Sequence, residues 1–235
     1  METFFYWKNI EWLVTPKWGE THPGESLYWW GEKAVNFNNN GEIVLDILYN
    51  PKLFDNVMKP YNTGFIRSTL EYGYGIYEWD VTMPQGKHLY PALWMAADEE
   101  WPPEIDCMEG YSNSNSSYIK NLLFVNVKPN VHWLDNNLTH KDNLKNNILF
   151  CTLRPKKKNH YKVILKPDEV SIWYNSFCVA KYNDKEMLQH FNKENIKWHI
   201  NINTGIQRNF TIEDYYDYKK KGKPMIIHNF SFTPL

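Results

Sequence analysis

Residues 72–95 read YGYGIYEWDVTMPQGKHLYPALWM. From Ile76 to Met83 two kinds of residue alternate. Ile76, Glu78, Asp80 and Thr82 fall on one face, and Tyr77, Trp79, Val81 and Met83 on the other. A β-strand turns successive side chains to opposite faces, so this stretch is a half-buried strand with a bulky apolar inner face. PQGK (84–87) then supplies the Pro and Gly of a turn, and LYPALWMAA (89–97) begins a second apolar strand.

The same pattern recurs on both sides. GEIVLDILY (41–49) lies upstream. Downstream come EIDCME (104–109), NLLFVNV (121–127), YKVILK (161–166), EVSIWYN (169–175), KWHININTG (197–205) and MIIHNFSFT (225–233). NNNGE and KPDE mark further turns. Helical spacing is scarce. Its best instance is Asp184–Asn192, with Met187, Leu188 and Phe191 following an Asp suited to cap a helix. Many short strands without long helices predict an all-β sandwich or barrel. No repeat or linker divides the chain, so residues 1–235 are read as a single domain.

The composition narrows the function classes. The net charge is −1, which gives no electrostatic reason to expect nucleic acid or an anionic membrane as a partner. Aromatic residues reach 17%, with 11 Trp and 16 Tyr, enough both to fill a core and to line a groove where flat sugar faces stack. Cys107, Cys151 and Cys178 are too few, and odd in number, for a disulfide framework. METFFYWKNIEWLV at the N-terminus lacks the pattern of a secretory signal, and no apolar run approaches the ~18 residues of a membrane span. Two basic runs, RPKKKNH (154–160) and YKKKGKP (218–224), read as solvated loops between strands, with contact to an anionic, sulfated substrate as the alternative.

EIDCME carries the chemistry. Glu104 and Asp106 share a face by alternation, whereas Glu109, five residues from Glu104, would face the other way. One extra residue, a β-bulge at Cys107 or Met108, brings all three carboxylates to the same side. Three like charges so placed repel, and at least one should have a raised pKa. Two acids with split proton affinities are what glycoside hydrolysis requires, and carboxyls about 5–5.5 Å apart work with retention of configuration. The alternatives at this point are an acidic surface loop and a hard-cation site.

Larger blocks resemble glycoside hydrolase family 16, the laminarinase-like retaining endo-glycanases. YNTGFIRS (61–68) is similar to that family's Y-x-S-G-x-I-R-S strand. Residues 72–95 are similar to its Y-G-x-x-E-x-R-x-K-x-P-x-G-x-G-x-W-P-A-x-W-M block, and WPPEIDCMEG (101–110) to its bulged E-I-D-x-x-E strand. VHW (131–133), PDEVSIWYN (167–175), KWHININTG and MIIHNFSFTP (225–234) resemble the later strands. The resemblance is densest over 61–111 and thinnest over 1–40.

It implies a concanavalin A-like jelly-roll β-sandwich of two curved antiparallel sheets, the concave one forming an open cleft. It implies Glu104 as nucleophile and Glu109 as acid/base, with Asp106 between them setting their charge states. It further implies Trp94, Trp101, Arg67 and His132 as substrate-binding residues. The expected substrate is a β-1,3- or mixed β-1,3/1,4-glucan. A marine galactan (agar, porphyran or carrageenan) is the rival within the enzyme class, and a non-catalytic carbohydrate-binding lectin-like module the rival outside it. No cofactor is expected. His228 or Asn229 stands where the family often has an Asp that helps bind a structural calcium on the convex face, so no metal is expected either. Pro103 replaces a frequent Gly before the first Glu, which costs this end of the strand a ladder bond or places it at an edge. A monomer acting on an extracellular polysaccharide is the expected form.

Overall fold

A computed structural model of the chain describes residues 3–16, 18–21, 26–97, 101–110, 127–144, 157–192 and 196–235. The fold is mostly β, and three sheets account for its strands. The largest has eight, in the order β1 (Phe4–Trp7), β2 (Ile10–Leu13), β8 (Phe65–Ser68), β17 (Trp198–Asn203), β10 (Ala92–Ala97), β11 (Glu104–Gly110), β12 (Val127–Leu134) and β13 (His140–Asp142). The second has seven, in the order β16 (Phe177–Tyr182), β15 (Val170–Tyr174), β14 (Lys158–Leu165), β9 (Gly75–Thr82), β18 (Met225–Pro234), β5 (Ile43–Leu45) and β4 (Val35–Phe37). Neighbours in both are antiparallel. A smaller third sheet has the order β3 (Tyr28–Trp30), β7 (Val57–Thr63) and β6 (Ile47–Phe54), and its β3–β7 pair is parallel. The third sheet and its parallel pair depart from the two-sheet antiparallel expectation.

One apolar cluster joins the two large sheets into a jelly-roll sandwich. Leu93, Met95, Ile105, Ile200 and Ile202 contribute from the first, and Tyr77, Trp79, Val163, Ile172 and Ile227 from the second. In β9 the predicted inner residues Tyr77, Trp79 and Val81 are fully buried, while Ile76, Glu78, Asp80 and Thr82 are only partly so. The two sheets also touch through Trp12 and Phe230, edge to face with ring centroids 5.8 Å apart.

Four readings of the sequence need correction. GEIVLDILY is two strands, not one. At Asp46 the chain leaves the seven-stranded sheet for the small one, its N–H donating to Ala34 O at 2.9 Å and its carbonyl accepting from Gly64 N at 3.0 Å. YKKKGKP is not a loop between strands, because its first four residues end α2 (Ile212–Lys221). That helix opens with a capping box: Asp214 N donates to Thr211 Oγ1 at 3.2 Å and Thr211 N donates to Asp214 Oδ2 at 3.0 Å. Its last turn carries Lys219, Lys220 and Lys221, cations that suit the negative end of a helix. RPKKKNH is not all loop either, because Lys158, Asn159 and His160 begin β14. Of the two alternatives for Pro103 only the edge falls, since the strand it precedes lies between β10 and β12.

The other helix, α1 (Lys185–Phe191), forms as predicted, with Asp184 Oδ1 accepting from Met187 N at 3.0 Å. Cys107 is buried and Cys178 exposed, both as free thiols. Cys151, residues 121–126 of NLLFVNV and residues 154–156 of the first basic run lie outside the described residues. Among the described residues no helix is long and apolar enough to cross a membrane.

Candidate active site

The central strands set a grid on the face of the eight-stranded sheet away from the core. One cross-strand row runs Arg67, Asn201, Trp94, Asp106, Asn130. A second, two residues along each strand, runs His199, Ala96, Glu104, His132, Asp142. A third runs Phe65, Asn203, Ala92, Glu109, Lys128. Successive positions on β10, β12 and β17 are two apart, but Asp106 and Glu109 are three apart. The pairing of β11 shifts register between these two residues against β12, and between Leu93 and Trp94 against β10. That shift is the bulge the sequence called for. Cys107 and Met108 both turn into the core and are fully buried, so Glu109 returns to the outer face.

A bulge breaks the ladder and leaves backbone groups in want of partners. Tyr174, across the sandwich on β15, meets this need by donating its hydroxyl to Cys107 O at 2.8 Å. Tyr174→Phe removes that donor from a fully buried site. We expect it to cost about 1–2 kcal/mol of stability, read as a lower urea midpoint, and an unchanged midpoint would deny the bond its role.

All three carboxylates line one cavity of about 520 Å³. Ala92 and Ala96 give its floor room beside Trp94, and Trp18, Trp30, Tyr28, Tyr90 and Trp101 give it walls. Four of the 11 tryptophans thus face this space. Trp94 is fixed by its Nε1, which donates to Asn203 Oδ1 at 2.8 Å, and by its ring 5.9 Å from that of Trp18. Trp101, 58% exposed, reaches back to donate Nε1–H to Glu104 Oε2 at 2.7 Å. Tyr90 donates its hydroxyl to Glu109 Oε1. His132 Nε2 lies 3.1 Å from Asp106 Oδ2 and 3.8 Å from Glu104 Oε1.

Burial, then the nearby Asp106 charge, holds the Glu104 carboxyl well above the usual carboxylate range, with His132 and the Trp101 N–H pulling the other way. Asp106 is 2% exposed, and burial followed by the charge of Glu109 raises it well above its usual range too. The two carboxyls lie close enough to bias each other's protonation. Asp106 sits deeper, and Trp101 donates to Glu104. Asp106 is thus the less accessible of the two carboxyls, and Glu104 the one that an outside N–H reaches.

Glu104, Asp106 and His132 offer ligand atoms within 4.8 Å of one another, the one group among the described residues compact enough to hold a metal ion. Their hydrogen bonds to each other, to Trp101 and to Asn130 already engage these atoms, which suits proton sharing.

Of the residues singled out from the sequence, Glu104, Asp106, Glu109, Trp94 and Trp101 line the cavity, and His132 stands behind the first two. Arg67 is apart from them. It is buried in the Asp106 row but three strands away, roughly 14 Å at ~4.8 Å per strand, and outside the cavity lining. Sequence reading missed Tyr90, Asn203, Trp18 and His140. For Asn203 a signal existed: in HININ the polar His199, Asn201 and Asn203 alternate with Ile200 and Ile202.

No protein-family model matches the sequence, and no curated protein does. Solved structures do match. A Bacteroides ovatus family 16 enzyme of a mixed-linkage glucan locus, in complex with a G4G4G3G product, aligns with a TM-score of 0.70 at 16% identity over 97% of each chain. The catalytic domain of an endo-1,3-β-glucanase (laminarinase) from Thermotoga petrophila aligns with a TM-score of 0.68 at 16% identity, over 98% of this chain and 93% of that one. LamAcat from Zobellia galactanivorans gives 0.69 at 15% identity, over 94% and 89%. The chain has the fold of the family 16 glycoside hydrolases. In this chain the family 16 fold carries an acidic bulged strand inside its larger sheet, third from the β13 edge, floored and walled by aromatic rings.

Proposed function

We propose that this chain is a retaining endo-glycosidase of glycoside hydrolase family 16 that cleaves β-1,3- or mixed β-1,3/1,4-glucan. The observation that supports it most is the pair of Glu residues flanking a buried Asp on one bulged strand, inside an aromatic cavity. In this reading the Glu104 carboxylate attacks the anomeric carbon. The bond to the leaving oxygen breaks as Glu109 gives that oxygen its proton. Water then attacks the glycosyl-Glu104 ester, Glu109 takes a proton from it, and the ester bond breaks to release the sugar and restore both acids. Asp106 holds the proton that would otherwise quench Glu104. Trp94 and Trp101 stack on sugar faces, and Tyr90 orients Glu109.

A specific feature favours a neutral glucan over a sulfated galactan. Among the described residues, the charged groups of the cavity lining are Glu104, Asp106 and Glu109, with no Lys or Arg. A sulfated chain would meet like charge there. Incubation with laminarin, lichenan, agarose and carrageenan, followed by analysis of released oligosaccharides, tests the assignment. Products are expected from laminarin or lichenan. Products from the galactans alone would overturn the substrate, and binding without any product would favour the lectin-like alternative.

A further inference from the structure

His132 Nε2 has a neighbour that can only donate. Asn130 Nδ2 lies 3.0 Å away, and the amide is oriented by its Oδ1, which accepts from Val131 N at 2.9 Å. With Nε2 accepting from that amide, the ring proton lies on Nδ1. That nitrogen lies 3.0 Å from Nε2 of His140 on the edge strand β13. The two imidazoles are nearly parallel, 15° apart with centroids at 5.1 Å, and His140 also packs 5.1 Å from the ring of Trp101. His140 is thus joined to both groups that flank Glu104. It is presented by a well-bonded turn, in which Asp135 Oδ1 accepts from Asn137 N and Thr139 N at 2.9 and 2.8 Å.

We propose that His140 is a positioning residue for the reaction. It accepts a hydrogen bond from the Nδ1–H of His132, so that the ring turns an unprotonated Nε2 toward Asp106. With Nε2 as acceptor, the 3.1 Å contact to Asp106 Oδ2 is a hydrogen bond only if Asp106 carries the proton. The chain His140–His132–Asp106 then sets which carboxyl is the nucleophile. The titratable groups facing His140 across the sheet are His132 directly, and Asp106 and Glu104 behind it. The role in turnover rests on the glycosidase reading. The tautomer does not.

His140→Phe keeps a ring beside Trp101 and removes the acceptor, whereas His140→Gln keeps an acceptor. We expect the Phe variant to lose about tenfold in kcat with little change in KM, and to shift its pH profile, while the Gln variant keeps most of the activity. Nitrogen-15 spectra of the wild-type protein should place the His132 proton on Nδ1, and the Phe variant should move it. A wild-type His132 protonated on Nε2 would overturn the proposal even in a protein with no measurable activity. So would a Phe variant with unaltered kcat and pH profile, or a Gln variant impaired as much as Phe. Lack of activity on every polysaccharide with the Nδ1 tautomer intact would instead count against the glycosidase reading alone.

Discussion

Glu104→Gln should lower kcat by at least ~10³-fold on the glucan the protein cleaves, with its circular dichroism unchanged. The amide has the shape of the carboxylate and can still accept the Trp101 N–H, so the strand has no reason to refold. What it lacks is a charged oxygen able to form the glycosyl ester. Asp106 cannot take over. Its side chain is shorter, it is 2% exposed, and burial holds its carboxyl well above the usual range. A Glu104→Gln variant with near-normal turnover would remove the nucleophile from the scheme.

Glu109→Ala should cost about 10²- to 10⁴-fold, the usual worth of a general acid and base, and the loss should depend on the leaving group. A substrate whose leaving oxygen needs no proton should still form the ester with Glu104, which would then await a base. Deleting the side chain leaves space beside Tyr90 for a small anion. Added azide should attack the ester from the side the water normally takes and give a β-glycosyl azide of retained configuration. In Glu104→Ala, azide would instead attack the substrate directly and give the α-anomer. Product anomers read by proton NMR separate the two roles, and the opposite pattern would exchange them.

The legible parts of this molecule are those where one face is wet and one is dry. β9 alternated openly because the second sheet is covered on a single side. The bulge in β11 was legible for a different reason: acids spaced 104, 106, 109 conflict with the period of two, and an extra residue is the smallest change that removes the conflict. α2 escaped because it buries only Asp214 and Tyr218, which makes no apolar stripe. Its Thr211–Asp214 spacing was the available signal and is local to four residues. The break at Asp46 depends on Ala34 and Gly64, which no local window contains. Tyr90 and Trp18 enter the site from outside its strands, and sequence spacing carries no distance between such segments.

The count of residues between Asp106 and Glu109 has a consequence for descent. Segments whose length is not tied to a neighbouring strand can grow or shrink in a lineage without disturbing the sheet. Loss of a single codon between 106 and 109 would leave E-x-D-x-E, which a regular strand holds on one face with no bulge, so the acid would stay in the cleft and one core residue would replace the pair Cys107 and Met108. Length and regularity are therefore coupled at this strand: the acids keep their common face either with one extra residue and a bulge or with neither, whichever identities surround them.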